Sequence, residues 1–441
     1  MGTTDLQLDT IYALSSGQPP SGVAVVRLSG PASRFVVETI TESLPVPRVA
    51  TLRNLKDGSG DIVDRGLVLW FPGPASFTGE DCAELHVHGG RAVVAAVLEL
   101  LGGFEGMRLA DPGEFSRRAF ENGKLDLAEI EGLADLIGAQ TDAQRRLALR
   151  QMSGSLSAAT EDWRQRLSRI RAMIEANLDF SEEEDIPGDE AERAIATLRS
   201  LEAEIAAALK DDHRGEIVRD GLEVVLLGKP NAGKSSLLNA LAKRDVAIVT
   251  EEAGTTRDLI EVQLDIGGYA VTLVDTAGLR QTESRVEQEG IERARRRAET
   301  ADLFVWLVES GTRGDMPVFS RTDGSKVPGR SFVSKDDAGE FGEDGISIRR
   351  SDGLSGLLAW LEAQLPQIAQ GSETVLITRR RHRDALQECL DHIGEAIRGA
   401  QSEELIAERL RDAAMALGRV TGRVDVEQLL DVIFSEFCVG K

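Results

Sequence analysis

The segment Gly228-Lys229-Pro230-Asn231-Ala232-Gly233-Lys234-Ser235 holds the residue types that bind a nucleotide phosphate chain. Its glycines let successive backbone N–H groups turn towards one anion. The ammonium of Lys234 suits the β- and γ-phosphates, and the hydroxyl of Ser235 suits Mg2+. Ser236 continues the same loop-to-helix turn. About twenty residues on, Gly254-Thr255-Thr256 offers a threonine that can close over the γ-phosphate and complete the Mg2+ shell. Asp275-Thr276-Ala277-Gly278 then supplies a carboxylate that can hold Mg2+ through water and a glycine N–H that can sense the γ-phosphate.

In this order and spacing the three segments resemble the first three nucleotide-binding elements of translation-factor-like GTPases. Ser334-Lys335-Asp336-Asp337 stands where such proteins have Asn-Lys-x-Asp. Asp337 would accept from the guanine N–H pair and Lys335 would pack over the base, whereas Ser334 in place of Asn alters one contact. Ser347-Ile348-Arg349 resembles the final Ser-Ala-x element, with Ile for Ala. An acidic turn such as 334–337, taken alone, is also an ordinary exposed loop.

Leu279 follows Gly278, at the place where Ras-like enzymes use glutamine to orient the attacking water. Leucine cannot hydrogen-bond water, so either the domain does not hydrolyse or another group does this work. Asn231 offers one route: its amide oxygen, near the β- and γ-phosphates, could hold a monovalent cation that adds positive charge there. Backbone carbonyls of Thr250-Glu251-Glu252-Ala253-Gly254-Thr255 could complete that shell.

These residues need elements to hold them. Apolar strands at Glu223–Leu227, Ala270–Val274, Leu303–Val308, Ser331–Val333 and Ile346–Ile348, with helical segments between, predict a doubly wound parallel sheet. On both sides the pattern is helical. Trp163, Leu167, Ile170, Ile174 and Leu178 recur at helical spacing, as do Ile195, Leu198, Leu201, Ile205 and Leu209, and later Leu386, Cys389, Leu390, Ile393 and Ile397. One helical domain interrupted by the α/β domain is the economical reading. Residues 1 to about 120 mix runs at 23–28 and 67–70 with a helix at about 92–101, a small α+β domain. The predicted fold is therefore multi-domain α/β and all-α. It has an N-terminal α+β folate-binding-like domain (1–120), a discontinuous helical domain (121–216 and 371–441) and an inserted Ras-like P-loop GTPase domain (217–370).

Composition sets outer limits. A chain of 441 residues exceeds one ordinary domain, and 41% hydrophobic residues suffice for cores. A net charge of −23 argues against a dedicated nucleic-acid coat, so any nucleic acid must meet a local basic patch. Arg379-Arg380-Arg381-His382-Arg383 and Arg293, Arg295, Arg296 and Arg297 are the candidates, although solvated helix faces look the same. Three dispersed cysteines exclude a disulfide framework. No apolar run predicts a membrane span or signal peptide, so a cytoplasmic location is expected. His86 and His88 share a strand face and could ligate metal, but no third ligand is evident.

Further motifs widen the resemblance. Ser76-Phe77-Thr78-Gly79-Glu80-Asp81, Glu84-Leu85-His86-Val87-His88-Gly89-Gly90, Pro112-Gly113-Glu114-Phe115-Ser116, Arg118 to Leu127 and the C-terminal Cys438-Val439-Gly440-Lys441 resemble the MnmE (TrmE) family from end to end. The resemblance implies a potassium-activated GTPase of tRNA modification that is homodimeric. Its partner is the flavoprotein MnmG, which brings FAD, in a heterotetramer. Together they add an aminomethyl-type group, such as carboxymethylaminomethyl, to carbon 5 of the wobble uridine. The carbon would come from a tetrahydrofolate (5-formyl or methylene type) held by the N-terminal domain. By the same resemblance Asn231, Thr250, Glu252 and Thr255 surround K+, and Ser235 and Thr256 bind Mg2+. Glu287 is the catalytic glutamate, and Arg27, Glu84, Lys124 and Lys441 contact folate. On residues alone, Glu287 reads as an ordinary helix-start acid, Arg27 and Glu84 as sheet charges, and Cys438 equally as a reactive thiol or a bystander. Two other functions stay open: a GTP-dependent RNA or ribosome assembly switch, and a nucleotide-binding scaffold without hydrolysis.

Overall fold

A computed structural model describes residues 9–179, 189–211, 213–229, 231–244, 246–248, 260–275, 286–310, 316–369, 376–398, 402–424, 430–431, 433–434 and 440. The chain divides into two compact units, Met1–Ala134 with Leu417–Lys441, and Asp135–Ala416. No helix among the described residues is long and apolar enough to cross a membrane.

The first unit is built on a six-stranded sheet of β1 (Thr10–Leu14), β2 (Val23–Ser29), β3 (Thr51–Lys56), β4 (Ile62–Phe71), β5 (Cys82–His88) and β6 (Met107–Leu109). The order is β3-β4-β5-β2-β1-β6, with β1 and β6 parallel and the other pairs antiparallel. Strand alternation decides what each face does. Ala24, Val26 and Leu28 of β2 and Ala83, Leu85 and Val87 of β5 pack under α1 (Ser33–Thr41) and α2 (Arg91–Gly102). The intervening positions therefore face the other way, and register sets Arg27 directly opposite Glu84. On that second face Ile11, Ala13, Ala110 and Phe115 form a smaller cluster with Phe77. Sequence patterning located β2, β4 and α2 but not α1, whose Val36, Val37 and Ile40 are fully buried.

Helix α3 (Glu114–Glu121) closes this unit with an ion network. Glu114 accepts from Arg108 Nη1 (2.8 Å), Arg118 Nη2 (3.1 Å) and the Asp111 N–H (2.9 Å). Arg118, itself buried, also reaches Asp9 (2.7 Å) and Glu80 (3.2 Å). Nearby, the first turns of α4 (Leu127–Gly138) place Leu127 and Ile130 against Leu430 and Phe434.

In the second unit, α5 (Asp142–Met152), α6 (Ser155–Asp179), α7 (Asp189–Leu209) and α8 (Arg214–Asp220) precede the other sheet. Trp163, Leu167, Ile170 and Ile174 are buried, as are Leu198, Leu201 and Ile205. Trp163 Nε1 ties α6 to Glu204 of α7 at 2.9 Å. The second sheet comprises β7 (Leu222–Gly228), β8 (Ile260–Ile266), β9 (Tyr269–Asp275), β10 (Leu303–Glu309), β11 (Gly329–Ser334) and β12 (Gly345–Ile346), in the order β12-β11-β10-β7-β9-β8. Helices α9 (Lys234–Leu241) and α11 (Ser355–Ala369) cover one face, and α10 (Val286–Thr300) the other. The chain then continues into α12 (Arg380–Arg398) and α13 (Glu403–Thr421).

Two features differ from the sequence expectation. Strand β8 is an added edge and runs antiparallel to β9, so the sheet is not wholly parallel. The described residues between β10 and β11 hold no helix. Pro317, Gly324 and Pro328 break the segment, which folds back through a bridge between Ser320 and Lys326.

The Glu114 network makes a pH prediction. Burial raises the carboxyl pKa, but hydrogen bonds and charge from Arg108, the Asp111 N–H and Arg118 outweigh it, and the net pKa is lowered. A lowered folded-state pKa gives stability that is present above the ordinary glutamate pKa and lost as pH falls through the folded value. Between about pH 6 and pH 3.5, thermal unfolding of wild type should drop further than that of Glu114→Gln, with the same slope in both counting against the network.

Candidate functional site

The phosphate loop begins where β7 ends. Strand β7 lies between β10 and β9 in the sheet interior, and its end carries strained backbone. Gly228 has φ +150°, and a Cβ there would sit 2.5 Å from the Leu307 carbonyl oxygen. Asn231 and Gly233 follow with φ of +65° and +93°. Lys234 opens α9 and is only 6% exposed. Its Nζ donates to the carbonyls of Gly228 (2.9 Å) and Lys229 (3.3 Å). Burial pulls its pKa below the ordinary lysine value, with the charge of Asp275 opposing. Ser235 Oγ donates to Asp275 Oδ2 at 2.6 Å, and Asp275 is fully buried at the end of β9. Ala232 is buried behind the loop, while Asn231, Ser235 and Ser236 are exposed.

A hydroxyl and a carboxylate gathered beside a buried ammonium form a hard-oxygen donor set that fits Mg2+. For K+ only Asn231 can be assessed, because Thr250, Glu252 and Thr255 lie outside the described residues. So do Gly254, Thr256, Thr276, Ala277, Gly278 and Leu279. Glu287 falls in the first turn of α10, and its side chain is outside the described set.

The second half of the candidate site abuts the first. A Cβ on Gly233 would lie 4.0 Å from Ser334 Cβ, so the phosphate loop and the end of β11 are neighbours. Ser334 is buried, and its hydroxyl faces the Val308 carbonyl at 3.4 Å. Lys335 pairs with Glu309 at 2.6 Å. Buried Asp336 turns inward to the N–H groups of Glu340 (2.8 Å) and Phe341 (3.3 Å). Asp337 accepts from Ser347 Oγ at 2.6 Å and from Arg349 Nη1 at 3.0 Å. The structure thus brings Asp337, Ser347 and Arg349 together and leaves the Ile348 side chain exposed.

On the first unit's open face, Arg27 Nη2 and Glu84 Oε1 are 2.9 Å apart, and His86 Nε2 meets Glu84 Oε2 at 3.2 Å. The Arg27 guanidinium lies 5.4 Å from the Phe77 ring centre and 5.8 Å from that of Phe115. Sequence reading missed both rings as neighbours of Arg27, although both lie in quoted motifs. Lys124 Nζ holds the Pro74 carbonyl at 2.9 Å. Gly440 packs on Leu14 of β1, whose register partner is Val26, next to Arg27. Cys438 and Lys441 lie outside the described residues.

His88 pairs with Asp64 at 2.8 Å, and no group of three metal-ligating side chains gathers among the described residues. The candidate basic patches are largely committed to internal pairs. Arg379 meets Asp135 (2.6 Å), Arg383 meets Asp211 (2.6 Å) and Glu216 (3.1 Å), Arg297 meets Glu223 (2.7 Å) and Arg295 meets Glu299 (3.0 Å).

Gly228 carries a direct test of the loop geometry. Gly228→Ala adds a Cβ against backbone at a φ that favours glycine, so it should cost about 1–3 kcal/mol and lower the unfolding temperature by several degrees. An unchanged unfolding temperature would contradict the close approach to Leu307.

Comparison with known proteins covers both units. Residues 10–124 match the family described as GTP-binding protein TrmE N-terminus, and residues 127–438 match the family described as MnmE helical domain. A tRNA modification GTPase MnmE from Sinorhizobium medicae is 52% identical over 98% of this chain and 99% of its own length. Proteins of the same description from Rhizobium etli and Parvibaculum lavamentivorans are each 51% identical over 98% of this chain, covering 99% and 100% of their own lengths. The chain belongs to the MnmE family of tRNA modification GTPases.

Proposed function

We propose that this chain is a K+-activated GTPase that, with the flavoprotein MnmG, modifies carbon 5 of the wobble uridine in tRNA using a tetrahydrofolate one-carbon unit. The observation that carries the GTPase part is the contact of Ser235 Oγ with Asp275 Oδ2 beside the buried Lys234. Lys234 exchanges its loop carbonyls for phosphate oxygens, and the loop N–H groups from Asn231 to Ser236 face the same phosphates. Mg2+ bound by Ser235 and Thr256 would neutralise charge on the phosphates. Asp275 would hold that Mg2+ through water, and the family pattern assigns γ-phosphate contacts to Thr276, Ala277, Gly278, Gly254 and Thr255. Asp337, held by Ser347 and Arg349, accepts from the guanine edge, with Lys335, Ser334 and Ile348 around the base.

With leucine at 279, hydrolysis needs other groups. Asn231, Thr250, Glu252 and Thr255 would hold K+, which would add charge near the phosphates, and Glu287 would position the attacking water. The Arg27–Glu84 pair, with Lys124 and Lys441, binds the folate. The guanidinium suits a glutamate tail, and the Glu84 carboxylate suits pterin N–H groups. Residues 1–120 form the folate and homodimerisation domain, and 217–370 form the GTPase domain inserted in the helices of 121–216 and 371–441. Cys438 is a candidate thiol at the end of that second helical part.

The chain, MnmG, tRNA, a methylene-tetrahydrofolate, NADH and ammonium should yield modified wobble uridine by mass spectrometry only when GTP is hydrolysed. GTP turnover without modified nucleoside would favour the assembly-switch reading instead. Glu287→Ala should keep GTP affinity yet slow turnover about 100-fold, close to 2.7 kcal/mol of barrier. Retained turnover would place water positioning on another residue. In calorimetry, Arg27→Ala should weaken tetrahydrofolate binding at least about tenfold, near 1.4 kcal/mol. An absence of binding heat in wild type would remove the folate assignment.

A further inference from the structure

Helix α5 meets the β8–β9 hairpin and the helix that leads into β7, both at the end away from Asp275. Near its start, the Ala143 N–H donates to the Gly268 carbonyl at 3.0 Å, at the tip of the β8–β9 hairpin. The next residue, Gln144, donates from Nε2 to the Arg219 carbonyl at 2.9 Å, in the last turn of α8 just ahead of β7. The beginnings of β7 and β9 are register neighbours, Leu222 opposite Val271. Their far ends carry the phosphate loop and Asp275. One helical turn therefore touches the hairpin tip that starts β9 and the last turn of α8 that leads into β7, the two strands whose ends form the candidate nucleotide site.

The orientation of Gln144 is fixed by its own surroundings. Its Oε1 accepts from the N–H groups of Gln140 (3.0 Å) and Thr141 (3.1 Å) and from Thr141 Oγ1 (3.3 Å), forming a capping box for α5. Those donors hold the oxygen on one side, so the amide nitrogen is the atom directed at Arg219. A carbonyl in the last turn of a helix has no partner within that helix, so this bond fills a real vacancy. Arg219 also reaches the Thr378 carbonyl at 3.3 Å, in the segment leading back out of the sheet. Arg383 of α12 grips the leading-in segment at the Leu209 carbonyl (3.0 Å), Asp211 and Glu216. The chain's two passages into and out of the sheet are thus bound to each other, and α5 is bound to the first.

We propose that Gln144 is a positioning residue that locks α5 to the last turn of α8 at the entry to β7, beside the backbone contact of Ala143 at the start of β9. Nucleotide-dependent shifts at the phosphate loop and Asp275 then reach α5 and α6 as movement of whole strands. This rests on the reading of the chain as a GTPase. Gln144 lies outside the nucleotide-binding machinery, so the chemistry there gives it no role, whereas the transmission of a shift does.

Gln144→Glu tests this with little change of shape. Glutamate keeps the acceptor that caps α5, loses the donor and sets a carboxylate oxygen against the Arg219 carbonyl. Hydrogen–deuterium exchange of 141–152 is compared in the full chain without nucleotide, with GDP and with a non-hydrolysable GTP analogue. In wild type, exchange across α5 should differ between nucleotide states by at least about twofold. In Gln144→Glu that difference should vanish while GTP affinity and basal turnover stay within about twofold of wild type. Nucleotide-independent exchange of α5 in wild type, or an unchanged difference in the variant, would overturn the proposal. So would a variant whose α5 and α6 exchange rises equally in every state, which would make Gln144 a helix cap and nothing more. Failure of wild type to bind GTP would instead refute the GTPase reading.

Discussion

The buried ammonium of Lys234 is the constraint on which the second unit depends. A charge removed from water must find partners or lose its proton. Here the partners are two backbone carbonyls of its own loop, with the fully buried Asp275 next to it. In the same loop Gly228, Asn231 and Gly233 adopt positive φ. The strand behind them must be interior, so β7 sits with parallel neighbours on both sides and both faces covered. A phosphate chain replaces weak neutral acceptors with charged ones at no cost in reorganising the lysine, which is already in place.

The same economy governs the base side. Asp337, the residue proposed to meet guanine, is held from two directions, by a hydroxyl and by a guanidinium. Ser347 has little choice of orientation, since its oxygen also accepts from the N–H groups of Arg349 and Arg350. Ser334, where the family pattern has Asn, stays buried and lies close to Gly233.

How much of this was legible in the sequence depended on the range of the interaction. The phosphate loop, the strands flanking it and the helical stripes are local patterns, and the structure has them where they were expected. Strand β8 is not among the expected strands although Ile260-Glu261-Val262-Gln263-Leu264-Asp265-Ile266 alternates cleanly, whereas the interior strands of this sheet are continuous apolar runs. Alternation belongs to a half-exposed edge, and β8 is such an edge. The arginines of 379–383 looked like a surface patch, yet Arg379 and Arg383 are bound to Asp135, Asp211 and Glu216, which are remote in sequence. Pairing over that separation leaves no local signal. The aromatic neighbours of Arg27 were hidden in the same way, since only strand register and the packing of 76–81 bring Phe77 to it.

We propose that this loop hydrolyses GTP without a glutamine after Gly278, using a monovalent cation held at Asn231. Steady-state GTP turnover of the full chain in K+ and in Na+, at equal ionic strength, tests it most directly. Turnover should be at least about tenfold faster in K+, near 1.4 kcal/mol of barrier. Equal rates in the two salts would contradict it.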